Sequence, residues 1–198
     1  MESVTTGIME SAKDITGLIL AGGAGRRVDG RDKGLIDWHG KPLAAHVAER
    51  LRPQVGRLLI SCNRNFERYR EIAETTAADS RRDFQGPLAG LEAATPFISS
   101  QLLVIVACDT PLLPDDLVQR LQAHLYKTEY DEASISYAHD GTRGQYLCAA
   151  IDRQCLASLT GYLDEGHRTV RHWYQRHRSI AVDFSDQAGA FRNYNRLD

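Results

Sequence analysis

Long apolar runs are missing from this chain: no stretch approaches the roughly 20 residues that cross a bilayer. The opening 14 residues carry Glu2, Glu10 and Asp14 with no signal-type apolar core. Membrane-spanning and exported classes fall away, and the expectation is a cytoplasmic protein with residues 1–14 as a flexible N-terminal tail. An excess of one charge is also missing. The 24 Lys and Arg nearly balance 26 Asp and Glu, a formal net charge of -2, so no global basic field steers the protein to nucleic acid or to an anionic membrane. Any anion must therefore be bound locally. Cysteine motifs are absent too: Cys62, Cys108, Cys148 and Cys155 form no C-x-x-C pair and have no histidine at zinc-finger spacing. They read as buried thiols, since a free cysteine behaves as a small hydrophobe. His167, His172 and His177 recur every five residues, which spreads them around a helix axis instead of aligning them on a metal. No repeat, low-complexity segment or Pro/Ser-rich linker interrupts the 198 residues, which suit one domain with a sizeable core.

What the chain does have is an apolar strand that empties into glycines and then into fixed positive charge. Leu18-Ile19-Leu20-Ala21 is followed by Gly22, Gly23 and Gly25, then Arg26 and Arg27, then Asp32-Lys33-Gly34. Glycines let the backbone reach positive φ and bring N–H groups close to phosphate oxygens, while Arg26, Arg27 and Lys33 supply charge that backbone dipoles cannot. A tight strand-to-helix turn followed by a solvated basic loop is the other reading of the same letters. Two familiar glycine loops are excluded. Val28 stands where the dinucleotide fingerprint needs its third glycine, and Lys33-Gly34-Leu35 lacks the hydroxyl that follows a P-loop lysine. Nicotinamide-oxidoreductase and P-loop kinase or GTPase readings are correspondingly weak.

Apolar runs alternate with amphipathic stretches through the first two thirds, the pattern of β-α units winding a largely parallel sheet. Residues 18–21, 58–62 and 102–107 are nearly continuous in Leu, Ile and Val, as strands covered on both faces are. Pro42 opens a helix whose Leu43, Val47 and Leu51 share a face and which Pro53 stops. Further helices are expected after Asn65 as N-cap, at Pro87, at Pro114 and around Leu156, Leu159 and Leu163. Residues 135–137 and 146–151 flank the turn letters Asp140-Gly141, which predicts a hairpin or mixed-direction strands, and 180–184 forms a last strand. The expected fold class is α/β: one three-layer, doubly wound domain over 15–198, with a mostly parallel sheet and an antiparallel edge.

Val104-Ile105-Val106-Ala107-Cys108-Asp109-Thr110-Pro111 places a carboxylate directly after a buried parallel strand. Ligands of open α/β sheets bind at that carboxyl edge. Mg2+ takes one or two protein carboxylates and leaves the rest of its shell to phosphates and water, so Asp109 suits that role. Capping the turn before Pro111 is the plainer alternative.

The order Leu20-Ala21-Gly22-Gly23, Arg26-Arg27, Asp32-Lys33-Gly34-Leu35, Gly40-Lys41-Pro42-Leu43, Asp79, Gly86-Pro87-Leu88-Ala89-Gly90 and Cys108-Asp109-Thr110-Pro111 resembles the molybdenum cofactor guanylyltransferases. This is the MobA-like group within the wider nucleotidyltransferase superfamily, with its Rossmann-like fold. The resemblance runs from about Thr16 to the C-terminus. It implies transfer of GMP from GTP to the phosphate of molybdopterin carrying molybdenum, with release of pyrophosphate and formation of the guanine dinucleotide cofactor. It divides the chain into a nucleotide half of about 15–112 and an acceptor half of about 113–198.

Carried over residue by residue, Leu20, Ala21, Gly22 and Gly23 hold the guanine nucleotide, and Lys33 contacts phosphates. Asp79 sits near the base or ribose, and Gly86 and Pro87 border the nucleotide. Arg27, Lys33 and Asp109 are the catalytic set, with Mg2+ (or Mn2+) on Asp109. Cytidylyl relatives read Leu-Ala-Ala-Gly where this chain has Leu20-Ala21-Gly22-Gly23, which favours GTP over CTP. Asn193 and Asn195 match a late N-x-N pair facing the pterin, polar turn residues near a chain end being the alternative. Gly166-His167-Arg168-Thr169-Val170-Arg171-His172-Trp173 reads as pterin contacts or as a solvated amphipathic helix with Val170, Trp173 and Tyr174 inward.

Three positions depart from the family pattern. Asp29 stands for a glycine, Ser61 for an asparagine with Asn63 left as the substitute contact, and Gln145-Tyr146-Leu147 stands where a histidine-proline pair is common. Partners implied are GTP, the molybdenum cofactor, molybdenum-insertion proteins and apo-molybdoenzymes or their chaperones. Competing readings are another nucleotidyltransferase (cytidylyl or sugar-nucleotide) and a non-catalytic GTP-binding cofactor chaperone.

Overall fold

The computed structural model describes residues 11–23, 31–81, 85–125 and 133–194; of the expected tail over 1–14, residues 1–10 lie outside them and Ala12–Asp14 form a turn of 3-10 helix capped by Ser11. Nine strands and six helices follow in chain order among the described residues. They are β1 (Ile15–Leu20), β2 (Asp37–Trp38), β3 (Lys41–Pro42), α1 (Leu43–Leu51), β4 (Arg57–Ser61), α2 (Phe66–Arg70), β5 (Thr75–Ala77), α3 (Pro87–Ala94), β6 (Leu102–Ala107), α4 (Leu117–Gln122), β7 (Ile135–His139), β8 (Gly144–Asp152), α5 (Leu159–Asp164), α6 (Val170–Tyr174) and β9 (Ser179–Asp183). Seven strands make one sheet in the order β5-β4-β1-β6-β8-β7-β9, and β2 and β3 form a small hairpin apart from it. β5, β4, β1 and β6 run parallel, β8 runs antiparallel to both β6 and β7, and β9 is parallel to β7. The fold is α/β with a mostly parallel sheet, and the antiparallel pairing expected toward the far side is supplied by β8.

Strand periodicity sorts the core into two layers. Ile15 and Ile19 of β1, with Val104 and Val106 of β6, face a cluster that holds Val47 and Leu51 of α1, Tyr69 of α2, and Leu117 and Leu121 of α4. Leu18 and Leu20, with Leu103 and Ile105, face the other way onto Leu88 and Leu91 of α3, Leu159 and Leu163 of α5, and Trp173 and Tyr174 of α6. The inward turn of Val170, Trp173 and Tyr174 therefore follows the amphipathic-helix reading, with Arg171 and His172 exposed. All four cysteines are buried and free. Burial pushes Cys62, Cys108 and Cys148 up to about 12 and Cys155 up to about 11, so they remain neutral apolar filling.

Several local expectations change on folding. Asn65 precedes α2 but makes no side-chain cap; it sits at φ 55 and its amide is used elsewhere. Pro42 ends β3 and is the residue before α1 instead of its first helical residue. The three-residue β5 and the β2–β3 hairpin carry no apolar run and went unread in the sequence. The hairpin turns through His39 (φ 52) and Gly40 (φ 83), positive at both central residues as a tight primed turn requires. Among the described residues no helix is long and apolar enough to cross a membrane.

Gly17, at the centre of β1, is where α1 comes closest: a Cβ there would stand 2.9 Å from Leu51 Cδ2 and 3.1 Å from Val55 Cγ2. Gly17→Ala is expected to destabilise the fold by about 1–3 kcal/mol through overpacking, read as a lower urea midpoint at unchanged slope.

Candidate active site

Register decides what meets at the carboxyl edge. Leu20 pairs with Ser61 on one side and Ala107 on the other, and Ser61 pairs with Ala77. The backbone continues the ladder one step further: Ala21 N donates to Ser61 O (2.8 Å), Cys62 N to Ala77 O (2.9 Å) and Cys108 N to Leu20 O (3.2 Å). Gly22, Asn63, Asp79 and Asp109, from four separate strands, thus emerge side by side.

Asn63 binds three of these segments together. Its Nδ2 donates to Gly22 O (3.0 Å) and to Asp79 Oδ2 (2.8 Å), and its Oδ1 accepts from Asp79 N (2.9 Å). Both amide protons are spoken for. The missing side chain at Gly22 makes the approach possible, because a Cβ there would lie 3.1 Å from Asn63 Nδ2. Next to this bridge, Ser61 Oγ and Asp79 Oδ1 are buried with no hydrogen-bond partner among the described residues. Burial raises the Asp79 carboxyl above the ordinary value, with Glu92 adding to the rise and the Asn63 amide opposing it. Gly90 of α3 packs closely on the same hydroxyl, as a Cβ there would meet Ser61 Oγ at 2.4 Å. Gly86 precedes α3 at φ 85, a conformation suited to glycine, and Pro87 begins the helix.

On the other side of β1 stands a charge pair. Lys33 Nζ donates to Asp109 Oδ2, and Asp109 is 5 % exposed. The lysine is aimed by its neighbours. Residues Lys33–Leu35 form one turn of 3-10 helix, and Asp32 before it accepts from Tyr69 Oη (2.5 Å) and Asn65 Nδ2 (2.9 Å), with Arg64 Nε at 3.6 Å. Burial, and the bond to Asp32, push the Tyr69 phenol well above its ordinary value, so it stays a donor. Gly34 lies against that phenol, where a Cβ would fall 2.4 Å from Tyr69 Oη. Local sequence does not mark Tyr69 as a site residue, and the position of Asp32 inside the Asp32-Lys33-Gly34 motif is the signal it carries.

The remaining expected residues distribute unevenly. Leu20, Ala21, Gly22 and Gly23 lie at the edge as anticipated, and Gly86 and Pro87 open α3 nearby. Arg27 and Asn195, together with Asp29, lie outside the described residues. Asn193 is exposed and adjoins Tyr194, whose N–H donates to Asp109 O (2.9 Å), so this late segment runs back to the acidic end of β6. Arg168 donates from Nε to Gln85 Oε1 (2.5 Å) and from Nη1 to the carbonyls of Leu163 (2.8 Å) and His167 (2.6 Å), joining the last third of the chain to the approach of α3. Gln145 donates to Asp140 Oδ2 (2.6 Å) within the β7–β8 turn. Among the described residues no cluster of three or more His, Cys, Asp or Glu could hold a metal alone. A divalent cation at Asp109 would have to share its shell with phosphate oxygens, which is how Mg2+ is normally held.

Residues 17–180 match the family model of the MobA-like NTP transferase domain. The chain is 41 % identical to the molybdenum cofactor guanylyltransferase of Shewanella sp. strain ANA-3 over 181 residues, which cover 91 % of this chain and 90 % of that one. It is 39 % identical to the enzyme of the same name from Shewanella halifaxensis, covering 91 % and 89 %. Among solved structures it is similar to molybdopterin-guanine dinucleotide biosynthesis protein A from Archaeoglobus fulgidus, with a TM-score of 0.69, 22 % identity and coverage of 91 % and 92 %. It is also similar to the inositol-1-phosphate CTP transferase of T. maritima, with a TM-score of 0.65, 12 % identity and coverage of 85 % of both chains. At these identities the two structures testify to the fold.

The raised carboxyl of Asp79 has a measurable consequence. Its charged form is penalised in the folded state at neutral pH, and the penalty vanishes as pH falls toward the ordinary value of 3.8. Asp79→Asn is therefore expected to raise the thermal midpoint at pH 7, with the gain shrinking toward pH 4; an equal or larger gain at pH 4 would contradict it.

Proposed function

The chain belongs to the MobA-like NTP transferase family, and from that premise we infer that it transfers GMP from GTP to the phosphate of molybdopterin carrying molybdenum, releasing pyrophosphate. The observation that carries the reading is the pairing of Lys33 with the buried Asp109 next to the end of β1 that leads into Ala21-Gly22-Gly23. One element can receive phosphates and the other a cation, and both stand at the end of the same sheet.

The step forms a bond from an acceptor phosphate oxygen to the α-phosphorus and breaks the bond to the β-phosphate, with pyrophosphate taking the electron pair. Like charges oppose it, so positioning and cationic charge matter more than a strong base. Asp32 and Tyr69 hold the turn that aims Lys33, and Lys33 moves its charge from Asp109 onto the phosphates as they arrive. Asp109, a single buried carboxylate with oxygen donors, fits Mg2+ or Mn2+. Bound there with the phosphates, the ion would supply Lewis-acid neutralisation of the transferring group and leaving group. Arg27 is proposed to add charge from the glycine loop.

Guanine selection is assigned to the polar groups beside Asn63. Guanine presents adjacent N–H donors on its pairing edge, and a carboxylate is an acceptor at both oxygens. Asp79, whose Oδ1 has no partner among the described residues, suits such an edge, and Ser61 supplies a further hydroxyl. Asn63, its amide already engaged, positions Asp79 and Gly22 instead of touching the base. Asn193 and Asn195 are proposed to line the acceptor side, and the product would pass to apo-molybdoenzymes or their chaperones.

Pyrophosphate release measured with GTP, CTP, ATP and UTP, with and without molybdate-charged molybdopterin and Mg2+, is expected only for GTP plus acceptor. Release with CTP would make the protein a cytidylyl enzyme, and GTP binding without release would make it a chaperone. Asp109→Ala is expected to abolish turnover with the fold intact by circular dichroism. Lys33→Ala is expected to lower kcat by about 10²–10³-fold, on the scale of removing one preorganised donor to a developing charge.

A further inference from the structure

Next to the charge pair stands a group of aromatic rings that the nucleotide reading does not use. Trp38 ends β2 four residues after the Lys33-Gly34 turn, and its position is fixed twice. Ile36 N donates back to Lys33 O (3.3 Å) while Leu43 N donates to Ile36 O (3.0 Å), and the β2–β3 turn is locked by Gly40 N donating to Asp37 Oδ1 (3.1 Å). The His46 ring lies edge-on to the indole at 4.8 Å and holds Trp38 O through Nε2 (2.6 Å). Tyr194 completes the group with its ring 4.9 Å from that of Trp38, and its own N–H is the one bonded to Asp109 O. The rings of His39, His46 and Tyr194 meet the indole at 66°, 75° and 53°, so none of them is stacked parallel on it. Trp38 and Tyr194 are partly exposed, His39 and Arg192 are exposed, and the Arg192 guanidinium is 5.7 Å from the Tyr194 ring.

We propose that Trp38 supplies the platform on which the fused-ring part of the acceptor lies, flanked by Tyr194 and Arg192, while its phosphate is presented to Lys33 and Asp109. The inference rests on the nucleotidyl-transfer reading and names a subsite for its second substrate. Three properties favour it. The platform is tied to both halves of the charge pair, covalently to Lys33 through residues 33–38 and to Asp109 through the hydrogen bond that Tyr194 N donates to Asp109 O (2.9 Å). Electron-poor, nitrogen-rich bicycles stack well on indole and phenol rings, and a guanidinium beside them suits an anionic ligand. It also shares no residue with the Asn63 bridge assigned to guanine, so both substrates can be held at once. A second aromatic group, Tyr137, Tyr146 and Tyr174, has ring separations of 4.8–6.1 Å. It packs against the core layer of α3, α5 and α6, and Tyr174 Oη is spent on Tyr146 O (2.8 Å).

The chain has two tryptophans, and Trp173 is 0 % exposed in the core, so ligand-dependent quenching of indole fluorescence reports Trp38. Titration of the full chain with a phosphorylated pterin, without GTP, is expected to give saturable quenching that Trp38→Phe removes and Tyr194→Ala weakens. In steady state, Trp38→Leu is expected to raise the KM for the acceptor by roughly tenfold, the scale of losing one aromatic stacking partner. The KM for GTP should move less than twofold, and Trp38→Phe should restore most of the loss. An unchanged acceptor KM in Trp38→Leu, or a loss found only in Tyr146→Ala, overturns the platform. If the wild-type protein itself releases no pyrophosphate from GTP with the acceptor, the transfer reading fails instead, and the two failures are distinct.

Discussion

The contact on which the rest of the site depends is the one between Lys33 and Asp109. A carboxylate that is 5 % exposed at the end of a central strand is costly unless a cation or hydrogen bonds compensate it. In this fold the compensation comes from a residue 76 positions earlier, delivered by a single turn of 3-10 helix. That requirement explains the neighbouring choices. Gly34 must be small because the Tyr69 phenol fills the space a side chain would need, and Tyr69 must reach Asp32 because that bond sets the turn. The same arrangement suits a substrate that brings its own negative charge, since a phosphate arriving with a cation can take over both partners at little net electrostatic cost.

A second constraint runs along the sheet edge. Parallel strands end together only if their register is held, and here the last rungs are made by backbone groups beyond the strands, closed by the Asn63 amide. The bridge joins the ends of β1, β4 and β5 and leaves Ser61 Oγ and Asp79 Oδ1 without partners among the described residues. Buried polar atoms in a folded protein are normally satisfied. Ser61 Oγ and Asp79 Oδ1 are exceptions among the described residues at the carboxyl edge of the sheet, and the raised carboxyl of Asp79 is the same cost seen through its protonation.

The pattern of residues made much of this legible. Continuous apolar strands followed by glycine or by Asp109 announced the parallel sheet and its functional edge, and helical spacing of Leu43, Val47 and Leu51 announced α1. Short elements without an apolar signal, such as β5 and the β2–β3 hairpin, did not show, because three-residue strands are stabilised by pairing more than by composition. Asn65 illustrates a different limit. As an isolated letter before a helix it reads as a cap, yet its amide goes to Asp32, a residue 33 positions away that no local rule would name.

The sequence by itself determined the α/β class, the glycine turn, the acid after β6 and the family, because each of these is written in contiguous residues whose spacing is a local property of strands and helices. Only the tertiary structure decided which polar groups face one another. That Lys33 holds Asp109, that Asn63 is already occupied, that Tyr69 aims the lysine, and that Trp38 and Tyr194 meet beside the acid all depend on strand order and register. These bring together segments 16 to 156 residues apart, distances over which the sequence pattern carries no pairing information.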